Sequence, residues 1–311
     1  MPQKPSEQEW QSGHRLVGRV VEDHRKYIDE YFKKKKQGTF VPVEPRKAAT
    51  VMLVRQEDAE HLSRYRSSKP VDKRMAPPNG IEVFMLRRQK TMKFVPNAVV
   101  FPGGRVDPKD ADPSLPWAGP SPAEWAQRIG RDEITARVVL SAAVREVFEE
   151  SGVLLAGPDE HSVVEDVSDS EWIEERRRLV EHEQCLSELL IRENLVIRTD
   201  LLNYISNWCT PEYSPMRYDT FFFAARCPDS QTPDDRSRES YIADWVEPQW
   251  AFDLGDDRVI DLMVPTAYNL GFVARSKDLN DLMTTVHPAY RFMEEPEILE
   301  DGEYAVTGIL P

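Results

Sequence analysis

Cysteine is scarce in this chain of 311 residues, which has only Cys185, Cys209 and Cys227. Their spacing contains no Cys-x-x-Cys pair of the kind that binds zinc, and an odd number cannot form a complete set of disulfides. The sequence therefore predicts neither a zinc module nor a disulfide scaffold. It favours a reducing compartment.

Long hydrophobic runs are also lacking. No apolar stretch approaches the roughly 20 residues that a transmembrane helix needs, and the N-terminus has no apolar core of a signal peptide. The C-terminal Gly-Ile-Leu-Pro is not a peroxisomal signal. We therefore expect no membrane association and a cytoplasmic location.

Positive charge is in deficit, because 40 lysines and arginines stand against 54 aspartates and glutamates, a net charge of −14. Nucleic-acid binding draws much of its affinity from basic surface, so we expect no nucleic-acid partner. This charge balance is better suited to a protein that binds anionic small molecules through metal ions and a few well-placed cations.

The most informative stretch is Arg-Glu-Val-Phe-Glu-Glu-Ser-Gly-Val at residues 145–153. In a helix, the spacing of Glu146, Glu149 and Glu150 places three carboxylates on one face. Arg145 precedes Glu149 by four residues, within reach of its carboxylate. Gly152 stands where a helix end favours a left-handed conformation.

Two interpretations of these glutamates compete. Most glutamate runs are solvated charged faces. The alternative is a metal site, because a hard cation such as Mg²⁺ prefers oxygen ligands and removes the repulsion between close carboxylates. The upstream turn Phe-Pro-Gly-Gly at residues 101–104, which follows an apolar run, favours the metal site. Two ions bound there would hold a diphosphate and activate a water molecule for attack on phosphorus.

Together, these two segments resemble the Nudix box, the signature of hydrolases that split nucleoside diphosphates linked to another moiety. The resemblance spans about residues 46–290, and it is to the coenzyme A diphosphatase branch, whose box is interrupted by an insertion. Its further matching segments are 94–107, 208–211, 217–222 and 264–266. The resemblance implies an α/β (α+β) fold, a Nudix-type α/β/α sandwich with a mixed sheet and added helical insertions.

The box departs from the family pattern. That pattern has a glutamate where this chain has Asp110, and seven residues before Arg-Glu where this chain has 34, residues 111–144. Aspartate is also one methylene shorter. We therefore expect Asp110 to matter less than the helix glutamates, with Asp107 and Asp112 as alternative supports.

The resemblance also implies roles for the box residues. Glu146, Glu149 and Glu150 are expected to bind Mg²⁺ or Mn²⁺, with Arg145 orienting them. The backbone carbonyl of Gly104 is expected to add an oxygen ligand.

Outside the box, Glu239 is a candidate general base, with an ordinary loop glutamate as the alternative. Arg87, Arg88 and Arg217 are the expected phosphate contacts, because a planar guanidinium suits that anion. Arg87 and Arg88 follow the strand predicted for 81–86. The alternative for these two arginines is that they simply lie at the rim of the sheet.

We predict a helical N-terminal arm over residues 1–45 and a Nudix hydrolase domain over 46–311. Insertions are expected near 56–80, 111–138 and 157–195. The arm has apolar residues at helical spacing, and this stripe needs a partner in either the catalytic domain or a second subunit of a homodimer. The residues of this stripe are Val17, Val20, Val21, His24, Tyr27, Ile28, Tyr31 and Phe32.

Three functions remain open from the sequence. The first is a metal-dependent diphosphatase for coenzyme A or acyl-coenzyme A. The second has the same chemistry but acts on ADP-ribose, NADH or a nucleotide sugar. The third is a catalytically silent nucleotide-binding module, which the intact glutamate triplet disfavours. Specificity is expected to lie in the inserted loops.

Overall fold

The computed structural model describes residues 15–19, 22–57, 79–88, 98–234, 240–257, 259–260, 262–299 and 302–309. Its helices are α1 (Glu22–Lys36), α2 (Pro122–Ile129), α3 (Glu133–Ser151), α4 (Ser170–Val180), α5 (Leu186–Arg192), α6 (Pro248–Asp256), α7 (Val264–Arg275) and α8 (Leu279–Thr284). Its strands are β1 (Arg15–Arg19), β2 (Arg46–Gln56), β3 (Ile81–Arg88), β4 (Val99–Val100), β5 (Gly103–Arg105), β6 (Trp117–Ala118), β7 (Ala156–Gly157), β8 (Val196–Arg198), β9 (Leu202–Cys209), β10 (Tyr218–Arg226), β11 (Ser240–Val246), β12 (Arg291–Met293), β13 (Glu295–Ile298) and β14 (Tyr304–Ile309).

An eight-stranded mixed sheet forms the centre of the fold. Its order is β11-β3-β2-β10-β9-β12, with β4 beside β3 and β5 beside β2. The pairs β2–β10 and β9–β12 are parallel, and the other neighbours are antiparallel. Strand β2 pairs with β3 at one end and with β5 at the other, so the sheet splits at the point where the Gly-Gly turn lies.

Both faces of this sheet are covered by helices. Phe221 and Phe223 of β10 pack with the residues of α2 and α3, whereas Phe222 packs on the opposite face with α6, α7 and α8. This alternation follows from the period of two along a strand. Helices on both faces of a mixed sheet confirm the predicted α/β/α sandwich.

Helix α3 carries the box glutamates and is capped at both ends. Asp132 accepts a hydrogen bond from the Thr135 backbone N–H at 2.8 Å, and Gly152 adopts φ 76° at the C-terminus. The C-terminal cap confirms the helix end that the sequence predicts at Gly152, and the Asp132 cap fixes the start of the helix. The helix is buried on most of its circumference because the sheet and the insertions enclose it.

The insertion predicted near 111–138 is part of the core. Its helix α2 begins with Ser121 in a capping box and Pro122 at the first turn, and it ends at Gly130 with φ 64°. Trp125 is fully buried and packs edge-on against Phe223 with ring centroids 6.0 Å apart. The insertion therefore contributes to the same apolar cluster as the sheet.

The N-terminal helix begins later than the apolar pattern indicates. Val17 lies in β1, where it pairs with Thr307 of β14, and α1 begins at Glu22. Ile28 and Tyr31 are buried within the single chain, so the apolar stripe is at least partly covered without a second subunit. The homodimer and the division into an arm and a catalytic domain stay predictions.

Two predicted segments lie largely outside the described residues. Most of the polar loop expected over 56–80 falls in 58–78, and the approach to the Gly-Gly turn falls in 89–97. Among the described residues, no helix is both long enough and apolar enough to cross a membrane.

We predict that Trp125→Ala lowers the free energy of unfolding by about 3–5 kcal/mol, because it removes a buried aromatic side chain from the core. The matched control is Ile134→Ala, since Ile134 is 73% exposed at the start of α3 and its truncation should change little. Urea denaturation of both variants measures the difference. Equal, small effects would show that the insertion does not belong to the core.

Candidate active site

The guanidinium of Arg145 lies at the centre of a group of acidic side chains. Its Nε and Nη2 donate to the two carboxylate oxygens of Asp110 at 3.0 and 3.1 Å. Its Nη1 donates to Glu146 at 2.8 Å and to Glu149 at 3.2 Å. Nη2 also donates to the backbone carbonyl of Arg105 at 2.9 Å. Arg145 is only 7% exposed, so this network is largely sheltered from water.

Asp110 occupies the support position that the sequence left in doubt. It lies on a 3₁₀ helix (Pro108–Ala111) directly after β5, and the long insertion follows that helix. The Asp107 side chain caps this turn, while the Asp110 carboxylate accepts the Asp107 backbone N–H at 2.7 Å. Asp112 contacts Ser114 and Ser187 instead. Asp110 thus lies beside Arg145 despite the insertion, and its lesser importance relative to the helix glutamates stays a prediction.

Burial and crowding change the acid–base properties of this group. Burial raises the pKa of Glu146 to about 7, and the Glu149 carboxylate adds to this rise against the opposing charge of Arg145. Burial also raises the pKa of Glu149. Burial alone would lower the pKa of Arg145, but Glu146, Asp110 and Glu149 together raise it, so this side chain stays charged.

The Gly-Gly turn lies directly against the glutamates. A Cβ atom at Gly104 would lie 2.4 Å from Oε1 of Glu146, so any larger residue would displace that carboxylate. The backbone N–H of Gly103 donates to Oε2 of Glu150 at 2.8 Å. Strand β5 thus brings its backbone into contact with the acidic face of α3.

The chemistry of this donor set fits a hard divalent cation. Glu146, Glu149 and Glu150 provide carboxylate oxygens, and the turn at Gly104 provides a backbone carbonyl, which are the ligands that Mg²⁺ and similar ions prefer. In the part of the chain that the structure describes, no three acidic, histidine or cysteine side chains already converge on one point. Nη1 of Arg145 bonds to both Glu146 and Glu149, so the guanidinium orients two of the three candidate carboxylate ligands.

A cleft with a volume of about 900 Å³ opens beside the glutamates. Its walls come from the Gly-Gly turn, α3, one end of β2 and β10, and helix α4. Its lining residues are Ala48, Thr50, Gly103, Gly104, Arg105, Val106, Asp107, Pro108, Arg145, Glu146, Glu149, Glu150, Ile173, Arg176, Arg177, Val180, Glu181, His182, Tyr218 and Thr220. The predicted box residues therefore share one cavity that is large enough for a nucleotide-sized ligand.

Among the site residues predicted outside the box, only Arg217 has a side chain within the described part of the structure. Arg217 is 5% exposed, and it donates to the backbone carbonyls of Thr210 at 3.0 Å and Val43 at 2.8 Å. It does not line the cleft, and this placement argues against the predicted phosphate contact. The backbones of Arg87 and Arg88 lie in β3, but their side chains are outside the described part of the structure, as is Glu239.

Several cations of the cleft were not predicted from the sequence. Arg105 follows the Gly-Gly turn, and Arg176 and Arg177 belong to α4 in the insertion near 157–195. Arg176 donates from Nε to the Glu149 backbone carbonyl at 2.9 Å. Its Nη1 donates to Asp234 at 2.7 Å. The run of three arginines in α4 was the only signal, and it is typical of a solvated helix.

Comparison with known proteins agrees with this geometry. A family model described as the NUDT19 Nudix domain matches residues 122–273. The acyl-coenzyme A diphosphatase NUDT19 of Gallus gallus is 29% identical over 281 residues, covering 76% of this chain and 70% of that protein. The protein of the same name from Xenopus laevis is 25% identical over 279 residues, covering 76% and 71%.

Among solved structures, a NUDIX hydrolase from Alicyclobacillus acidocaldarius superimposes with a TM-score of 0.58 at 24% identity. The match covers 79% of this chain and 99% of that structure. This likeness supports the fold, and the sequence matches support the family.

We predict that Asp110→Asn lowers the free energy of unfolding by about 3 kcal/mol, since breaking a buried ion pair leaves the charge of Arg145 less compensated. Asp112→Asn is the matched control, because Asp112 is half-buried and accepts hydrogen bonds from Ser114 and Ser187. Its loss should be about 1 kcal/mol. Chemical denaturation of both variants measures this, and a larger loss for Asp112→Asn would contradict the assignment.

Proposed function

Since the chain belongs to the Nudix hydrolase superfamily, we propose that it hydrolyses the diphosphate of coenzyme A or an acyl-coenzyme A. The observation that carries the chemistry is the acidic face of α3, which surrounds Arg145 and opens into the cleft. The substrate class comes from the two relatives whose name is acyl-coenzyme A diphosphatase. The expected products are 3′-phospho-AMP and a phosphopantetheine compound.

In this proposal, Glu146, Glu149 and Glu150 hold the divalent ions, which we propose are Mg²⁺ or Mn²⁺. When bound, such ions neutralise the charge of the diphosphate and act as Lewis acids toward it. Arg145 holds Glu146 and Glu149 in register with the Gly-Gly turn. Water forms a new bond to one phosphorus, the bond from that phosphorus to the bridging oxygen breaks, and the leaving phosphate departs.

The proton of the attacking water requires an acceptor, for which we retain Glu239. Asp234 precedes it by five residues, and the backbone N–H of Asp234 donates to the Ser151 carbonyl at the end of α3 at 2.9 Å. Asp234 thus lies against the C-terminal end of the box helix, and the role of Glu239 as general base is part of the proposal.

Cations in the cleft are suited to the phosphates of such a substrate. Arg105 and Arg176 line the cavity beside the glutamates, and guanidinium groups bind phosphate oxygens well. The substrate is accordingly a small-molecule nucleotide. The absence of a nucleic-acid partner and the cytoplasmic location stay predictions.

We predict that Glu149→Gln or Glu150→Gln lowers kcat by at least about 100-fold without loss of fold, because each removes charge stabilisation of the reacting phosphate. Glu133→Gln is the matched control, since Glu133 is exposed in the first turn of the same helix. Activity is measured with Mg²⁺, with Mn²⁺ and after chelation, beside circular dichroism. Full turnover by Glu150→Gln, or activity that survives chelation, would refute the metal assignment.

The substrate is tested by kcat/KM for coenzyme A, its 3′-dephosphorylated form and ADP-ribose under one metal condition. We expect coenzyme A to be the best of the three, because the cations of the cleft add affinity for a third phosphate. Product identification distinguishes cleavage of the diphosphate from loss of the 3′-phosphate. If ADP-ribose is the best substrate, the coenzyme A assignment fails and the diphosphatase chemistry remains.

A further inference from the structure

One face of helix α4 forms a wall of the cleft. Ile173, Arg176, Arg177 and Val180 all line the cavity, and their spacing of i, i+3, i+4 and i+7 is that of a single helix face. Leu179 lies away from this face and is buried in the main core. The insertion is therefore packed against the protein on one side and open to the cleft on the other.

The apolar members of this face are unusually accessible. Ile173 and Val180 are 36% and 40% exposed although they stand in the wall of a cavity. Arg177, which lies between them, is held by Glu174, Glu181 and Glu183 through hydrogen bonds of 2.6–2.9 Å. The surface that α4 offers to a ligand at these two positions is thus apolar.

The position of this apolar surface relative to the glutamates is fixed. The hydrogen bond of 2.9 Å from Arg176 Nε to the Glu149 carbonyl joins α4 to the end of the box helix. Ile173 and Val180 stand three and four residues from Arg176, which corresponds to about 4.5 and 6 Å along a helix axis. Ile173 and Val180 therefore line the part of the cleft next to the contact between Arg176 and the box helix, where the group attached to a diphosphate bound at the glutamates would lie.

We propose that Ile173 and Val180 contact an apolar, branched alkyl segment attached directly to the substrate diphosphate, and thereby select it over a polyhydroxylated sugar. An alkyl segment gains free energy by covering these side chains, whereas sugar hydroxyls placed against them lose hydration without a hydrogen-bond partner. Coenzyme A carries such a segment, the dimethyl group of its pantetheine arm, and ADP-ribose carries ribose there. The inference rests on the proposed function.

The test compares the full-length protein with the double variant Ile173→Thr/Val180→Thr and with the control Ile191→Thr. All three positions keep a β-branched residue of similar helix propensity, and Ile191 is 49% exposed in the same insertion but outside the cleft lining. The measured quantity is the ratio of kcat/KM for coenzyme A to kcat/KM for ADP-ribose. We expect this ratio to fall about threefold to tenfold in the double variant through KM, because apolar contact area is lost.

Each outcome separates the hypotheses. An unchanged ratio in the double variant, or an equal fall in Ile191→Thr, overturns the role of the α4 face while the coenzyme A assignment stands. A wild-type protein that hydrolyses ADP-ribose but not coenzyme A overturns both. A double variant that unfolds, as judged by circular dichroism, is replaced by the single variants Ile173→Thr and Val180→Thr, of which at least one must lower the ratio.

Discussion

A single buried guanidinium, that of Arg145, holds together parts of the site that come from distant positions in the chain. It pairs with Asp110, 35 residues earlier, and with the carbonyl of Arg105 at the end of β5. It also pairs with Glu146 and Glu149 on its own helix. A buried charge is tolerated only when its hydrogen bonds are complete. The 3₁₀ helix, the Gly-Gly turn and α3 are therefore locked in one mutual arrangement, and the cleft takes its shape from them.

This arrangement leaves an excess of negative charge that Arg145 alone does not balance. Three carboxylates bond to the one guanidinium, and Glu150 lies beside them against the Gly103 amide. The pKa of Glu146, raised by burial to about 7, reflects the free energy required to keep these groups ionised together. In the proposed function, a divalent cation held by these glutamates would remove that requirement, and the crowding that weakens the metal-free site would favour binding of the metal.

The parts of this structure that the sequence predicts are those specified by local signals. Helix α3 begins after the Asp132 cap and ends at Gly152, and its glutamates share a face by spacing alone. Contacts between distant residues carried no such signal. Counting residues across the insertion did not show that Asp110 bonds to Arg145. The position of Arg217 beside a predicted strand did not show that its side chain points inward to two backbone carbonyls.

The proposed function divides chemistry and specificity between the box and the insertions. The glutamates and the Gly-Gly turn belong to the box, whereas the opposite wall of the cleft comes from α4, which the Arg176 hydrogen bond joins to the Glu149 carbonyl. Trp125 in one insertion and Leu179 in another both lie in the main apolar cluster, so these segments are packed parts of the protein. Because a packed wall keeps its shape, the role proposed for α4 makes discrimination between substrates depend on which side chains α4 presents to the cleft.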